Sequence, residues 1–116
     1  MKLEYVLPAD IERRSFEIIE SELKTEIPEN IKPVVIRAIH TTADFDYAEN
    51  LYFSDNVIDT ALKVLDMGAV IVTDTNMAKA GINKSALARH GCECMCFMAD
   101  EDIAETAKRN GTTRAA

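Results

Sequence analysis

Three stretches of this 116-residue chain group side chains that could do chemistry. The first is His40-Thr41-Thr42-Ala43-Asp44-Phe45-Asp46. One histidine with two carboxylates can be an acid/base pair, a metal triad or a capped helix end, because imidazolium interacts well with the C-terminus of a helix. Histidine is also the side chain that most often moves protons near neutral pH. Arg37, three residues earlier, sits one helical turn away if this segment is a helix. The second stretch is His90-Gly91-Cys92-Glu93-Cys94-Met95-Cys96, which invites a metal. On a strand every two residues advance ~6.6 Å, so Cys92 and Cys96 would stand ~13 Å apart. Tetrahedral zinc with bonds of ~2.3 Å needs sulfurs only ~4 Å apart. The spacing therefore favours small buried hydrophobes on one face of a core strand, and no metal site is expected. The third stretch, Thr73-Asp74-Thr75-Asn76, follows an apolar run. It reads either as a binding rim or as an ordinary turn and helix cap. Ser15 is equivocal in the same way, since it shares a helical line with Ile11, Ile18 and Glu22 and could be a small packing residue.

These groups need elements to hold them. Asp10 is a credible N-cap, Glu12 suits a first turn, and the apolar period predicts a helix over residues 11–24 that stops before Ile27-Pro28. Residues 30–42 are ambiguous. Val34-Val35-Ile36 could open a strand, but Asn30 can cap a helix and Pro33 is tolerated in a first turn. The helix is the favoured reading, with Val35, Ile36 and Ile39 on one face, broken at Asp44-Phe45-Asp46. A short extended piece is expected near residues 51–53. Ser54 or Asp55 then caps a helix carrying Val57, Ile58, Ala61, Leu62 and Leu65, ended by Gly68. Residues 69–72 form a continuous apolar run, the mark of a strand buried on both faces. Helical pieces over 77–89 lead to a second strand over 92–98, and Asp100 caps a last helix ending near Asn110-Gly111. Strands joined by helical connections of this length run parallel. The expected class is α/β, a parallel sheet layered with helices.

Composition narrows the function classes. Leu, Ile, Val and Phe make up a quarter of the chain, too many for a disordered tail. No apolar run reaches the ~18–20 residues of a membrane span. Glu4 and Pro8 interrupt the N-terminal apolar residues, so no signal peptide is expected. With three cysteines, an odd number, a reducing, cytoplasmic setting is the expectation and a disulfide framework is not. Thirteen basic against twenty acidic side chains give a net charge of -7, the wrong sign for nucleic acid. No Gly/Ser-rich linker or repeat divides residues 1–116.

Taken in order, several segments resemble the precorrin-8X methylmutase (precorrin isomerase) family and its cobalt-precorrin-8 counterparts of corrinoid synthesis. They are Arg13-Arg14-Ser15-Phe16-Glu17-Ile18-Ile19, the run from Val35 to Asp46 around His40, and Asn50-Leu51-Tyr52-Phe53-Ser54. Then come the run from Gly68 to Met77 with Ala80-Gly81-Ile82, and finally Asn110-Gly111-Thr112-Thr113-Arg114. The resemblance implies an isomerase that moves a methyl group from C-11 to C-12 of the tetrapyrrole-derived ring, giving hydrogenobyrinic acid or its cobalt-containing equivalent. It implies no cofactor, because the reaction is a rearrangement. It makes His40 the proton donor or acceptor, and places Ser15 and Arg37, with Arg114 beside them, against the substrate. A polycarboxylate substrate and an acidic chain imply a locally basic pocket, for which Arg13, Arg14, Arg37 and Arg114 are the candidates.

Members of that family are nearly twice as long. Their second half holds Ile-Gly-Asn-Ala-Pro-Thr and Pro-Val-Gly-Phe-Val-Gly segments that do not occur here. The chain thus reads as the N-terminal half of a larger single-domain fold. A parallel sheet of so few strands leaves open edges and faces to cover, so a homo-oligomer, or association with a complementary C-terminal half, is expected around the corrinoid that the resemblance implies. Two other readings compete: a module that binds a corrinoid without turning it over, and a phospho-receiver with Asp74 as acceptor. The receiver lacks an acidic pair ending a first strand and a lysine directly after the strand ending at Met98.

Overall fold

A computed structural model describes residues 6–116; the part of the signal-peptide reading that rests on residues 1–5 lies outside them. The chain forms two compact units, one ending at Ile58 and the other beginning at Asp59. Among the described residues no helix is long and apolar enough to cross a membrane.

The first unit is helical. A 3-10 turn, Pro8–Asp10, leads into α1, Ile11–Glu22. Asp10 precedes α1 as expected, but its side chain does not cap the helix; it accepts a bond from Arg13 instead, at 3.0 Å. The helix ends two residues short of expectation because Leu23 turns extended, which carries the chain to the buried Ile27. Helix α2, Lys32–Thr42, confirms the helical reading of the β-branched run. Asn30 is not its cap: Ile31 holds that position, with Pro33 in the first turn, and the Ile31 and Lys32 amides both donate to the Pro28 carbonyl. Val35 and Ile39 are each 1% exposed and Ile36 is buried beside them. Burying an aliphatic side chain contributes about 1.5–3 kcal/mol, well above the few tenths by which β-branching disfavours a helix. Ala43 closes α2 in the left-handed region at φ 56°, its amide donating to Ile39 O. A one-turn helix α3, Tyr47–Asn50, follows. The core joins Ile19 and Ile27 to Val35, Ile36 and Ile39, with Phe16, Leu23, Tyr47, Leu51 and Phe53 packed against it. Residues 51–53 form no strand. Their alternation is real, since Leu51 and Phe53 touch the core while Tyr52 is exposed.

The fourth helix, α4, spans Val57–Asp66 across the boundary between the units. In the second unit come β1 (Val70–Val72), α5 (Asn76–Gly81), α6 (Lys84–His90), β2 (Glu93–Met95) and α7 (Glu101–Arg109). The strands pair in parallel, Val70 with Glu93, Ile71 with Cys94 and Val72 with Met95. Bonds from Glu93 N to Ala69 O and from Thr73 N to Met95 O close the two ends of the pair. Thr75 and Asn83 cap α5 and α6 by accepting from Ala78 N and Ala86 N, whereas Asp100 makes no side-chain cap for α7.

Two expectations need correction here. The second strand is three residues long rather than seven, because β1 offers only three residues to pair with, so Cys92 and Cys96 lie outside it. The strands are also not covered on both faces: Val70 is 51% and Val72 63% exposed. The result is helix-rich, with a small parallel sheet.

Candidate functional site

The chemistry-bearing residues of the first unit meet at one aromatic ring. Phe16, half-buried on α1, lies against α2, which carries both Arg37 and His40. The His40 ring meets Phe16 in a T-shaped arrangement, centroids 5.2 Å apart and planes at 85°. The Arg37 guanidinium lies over the same ring, 5.1 Å from its centroid. Residues three apart on a helix share a side, so α2 delivers both groups to one neighbour. Edge-to-face aromatic pairs and cation–π contacts each contribute about 0.5–1.5 kcal/mol, enough to restrict the two side chains without locking them.

Arg37 has a second partner. Its Nη2 donates to Glu12 Oε1 at 2.6 Å, with both side chains more than half exposed. An ion pair so open to water is worth about 0–1 kcal/mol. Glu12, Phe16 and Arg37 line a groove of about 610 Å³ together with Lys32, Pro33 and Ile36. Two further basic groups of this unit are also engaged. Arg13 bridges Asp10 and Glu17. Lys32 donates to Glu29, and that hydrogen bond, opposed by burial and reinforced by the charges of Glu29, Glu20 and Glu26, holds its ammonium above the ordinary lysine range.

The remaining candidates take humbler parts in the structure. Ser15 Oγ donates to Ile11 O at 2.9 Å on its own helix. Asp44 is a turn residue: its carboxylate accepts from Asp46 N and its amide donates to Thr42 Oγ1. The hydroxyls of Thr41 and Thr42 donate back to Arg37 O and Ala38 O. In the second unit Arg114 Nη1 donates to Met98 O at 2.9 Å. Thr73 donates to Thr75 O, and Thr75 caps α5, so this segment is a turn and cap. Cys92 is a buried thiol that donates to Leu65 O at 3.2 Å. Among the described residues no group of three His, Cys, Asp or Glu side chains is arranged to hold a metal.

Structure thus brings Arg37 and His40 together through Phe16. Ser15 is the residue before Phe16 on α1, and Arg114 belongs to the other unit. Two members of the cluster had no role assigned from sequence. Phe16 shares the helical line of Ile19 and Leu23, a period that marks it as facing the core but not as a bridge. Glu12 carried only the signal of a first-turn acid, and its partner lies 25 positions away.

The family model of precorrin-8X methylmutase matches residues 10–116. The cobalt-precorrin-8 methylmutase of Leptospira interrogans is 40% identical over 110 residues, 94% of this chain and 50% of that protein. That of Salmonella typhimurium is 37% identical, covering 92% of this chain and 54% of that one. A crystal structure of precorrin-8x methyl mutase from Thermus thermophilus superposes with a TM-score of 0.81 at 35% identity, over 92% of this chain and 52% of its own. The chain spans about half the length of the curated relatives it matches.

Proposed function

The chain belongs to the precorrin-8X methylmutase family, and from that premise we propose that it supplies the proton-transferring half of a methylmutase site for a corrinoid. The reaction is a rearrangement in which the bond from the methyl group to C-11 breaks as its bond to C-12 forms. A sigmatropic shift of this kind needs no nucleophile. Its barrier falls when the macrocycle is protonated or hydrogen-bonded as its π-electrons redistribute, which is the work assigned to His40. Arg37 holds a peripheral carboxylate of the ring, with a guanidinium fork suited to that planar anion. Ser15 contacts the substrate after its hydroxyl turns from Ile11 O. Any cobalt belongs to the substrate.

The observation that carries this reading is the shared contact of His40 and Arg37 with Phe16, which puts a proton carrier and an anion holder on one support. The rest of the site is assigned to a second half like that of the longer relatives, joined to this chain or associated with it. Between them the two halves would cover the exposed valines of β1. A homo-oligomer is the other assembly that would hide them.

The test is His40→Ala, assayed with the family's second half present as a continuation or as a separate chain. The rearrangement should fall by about 10²–10⁴-fold, the usual contribution of a positioned general acid or base. Product affinity should stay within about tenfold, roughly 1.4 kcal/mol, because the work is done in the transition state. Normal turnover by the variant would remove His40 from the mechanism. Unchanged corrinoid affinity in Arg37→Ala would remove Arg37.

A further inference from the structure

We infer that Glu12 is an internal competitor for Arg37: its carboxylate occupies, in the unliganded protein, the place on Arg37 that a carboxylate of the substrate takes on binding. This rests on the proposed reading of Arg37 as the group that holds a corrinoid side chain. The geometry supports an exchange. Glu12 meets Arg37 through Nη2 alone in the contact at 2.6 Å, one prong of a fork that can grip a carboxylate with two. Phe16 also contacts the guanidinium, its centroid 5.1 Å away, so Arg37 retains a partner when its anionic partner changes. Both members of the ion pair are exposed, Arg37 62% and Glu12 55%, and the pair borders the groove through which a large ligand would arrive.

The charge balance of the groove gives Glu12 its role. Glu12, Glu17, Glu20 and Glu29 face Arg13, Lys32 and Arg37 along its walls. A polycarboxylate finds no net attraction there while every acid is in place. Displacing Glu12 from Arg37 lets a ligand carboxylate in, and it costs little because an exposed ion pair is weak. A monoanion gains one contact and loses one. A ligand with several carboxylates makes the same exchange at Arg37 and adds its other contacts, so Glu12 weakens every carboxylate at this position alike and sets how tightly Arg37 holds its anion.

The experiment titrates hydrogenobyrinic acid at low ionic strength, with the second half present throughout, into wild type, Glu12→Gln, Glu20→Gln and Arg37→Ala, and into the Glu12→Gln/Arg37→Ala double variant. Glu12→Gln should bind about two- to fivefold more tightly than wild type, and that gain should vanish when Arg37 is absent. Glu20→Gln removes the same charge from the same groove without touching Arg37, and should give less than half the gain. If Glu12→Gln binds no tighter, or if Glu20→Gln gains as much, Glu12 holds no special place and the inference falls while the corrinoid reading stands. If neither wild type nor any variant binds the corrinoid, the reading of the substrate falls and takes this inference with it.

Discussion

Gly68→Ala tests whether the approach to the sheet is set by backbone geometry. Gly68 sits at φ +77°, and a Cβ built there would stand 2.9 Å from Gly91 O, with Gly91 C at 3.6 Å. Both neighbours are backbone atoms, so no side chain can swing aside. A left-handed backbone costs a non-glycine residue about 1–2 kcal/mol, and forcing the backbone apart adds about 1–3 kcal/mol. The sum is about 2–5 kcal/mol, a large share of the ~5–15 kcal/mol that stabilises a whole domain. Gly91 supplies the control. Its φ is +65° but open space surrounds its missing Cβ, so Gly91→Ala should lose only the conformational part, about 1–2 kcal/mol. Urea unfolding followed by far-UV circular dichroism reads both. With a slope of about 2 kcal/mol per molar, Gly68→Ala should lower the midpoint by about 1–2.5 M, and Gly91→Ala by about 0.5–1 M. If the two variants lose the same stability, the contact between Gly68 and Gly91 contributes nothing and the reasoning fails.

Two further outcomes follow from the packing. Ile39→Ala should cost about 2–5 kcal/mol in the same urea assay, because the side chain is 1% exposed and leaves a cavity, while Ile18→Ala, at 48% exposure, should stay within about 0.5 kcal/mol; equal losses would contradict the assignment of the core. The chain without a complementary half should self-associate through the open face of β1, seen as a sedimentation coefficient rising with concentration, and a monomer at all concentrations would show that Val70 and Val72 are tolerated in water.

Much of this architecture is legible in the residues, for reasons that differ from element to element. Helix α2 could be read despite its β-branched start because Pro33 fits a first turn and the apolar positions repeat at helical spacing. The parallel pairing followed from the helical length between the two apolar runs. Strand length was not legible, because it depends on how many residues the partner offers, and β1 offers three. Capping also misled: Arg13 takes the Asp10 carboxylate, Asn30 stands one residue before the N-cap position that Ile31 holds, and Asp100 holds its N-cap position without a side-chain bond. Within the site, Arg37 and His40 were visible as a helical pair. Their joint contact with Phe16 and the Glu12–Arg37 bond join α1 to α2, and no local pattern reports which residues meet across two helices.

The Phe16 ring also has a magnetic consequence. An aromatic ring current shifts protons above its face upfield and protons near its plane downfield, with a steep dependence on distance. The Arg37 side-chain protons above this ring should resonate at unusual upfield positions, and the His40 imidazole protons should be displaced by the same ring. The chain contains no tryptophan, four phenylalanines and three tyrosines, so few other rings compete to shift those signals. Chemical shifts of two side chains on one helix therefore form a built-in ruler. Motion of Arg37 off the ring moves one set of lines, reorientation of His40 moves the other, and each can be followed without introducing a probe.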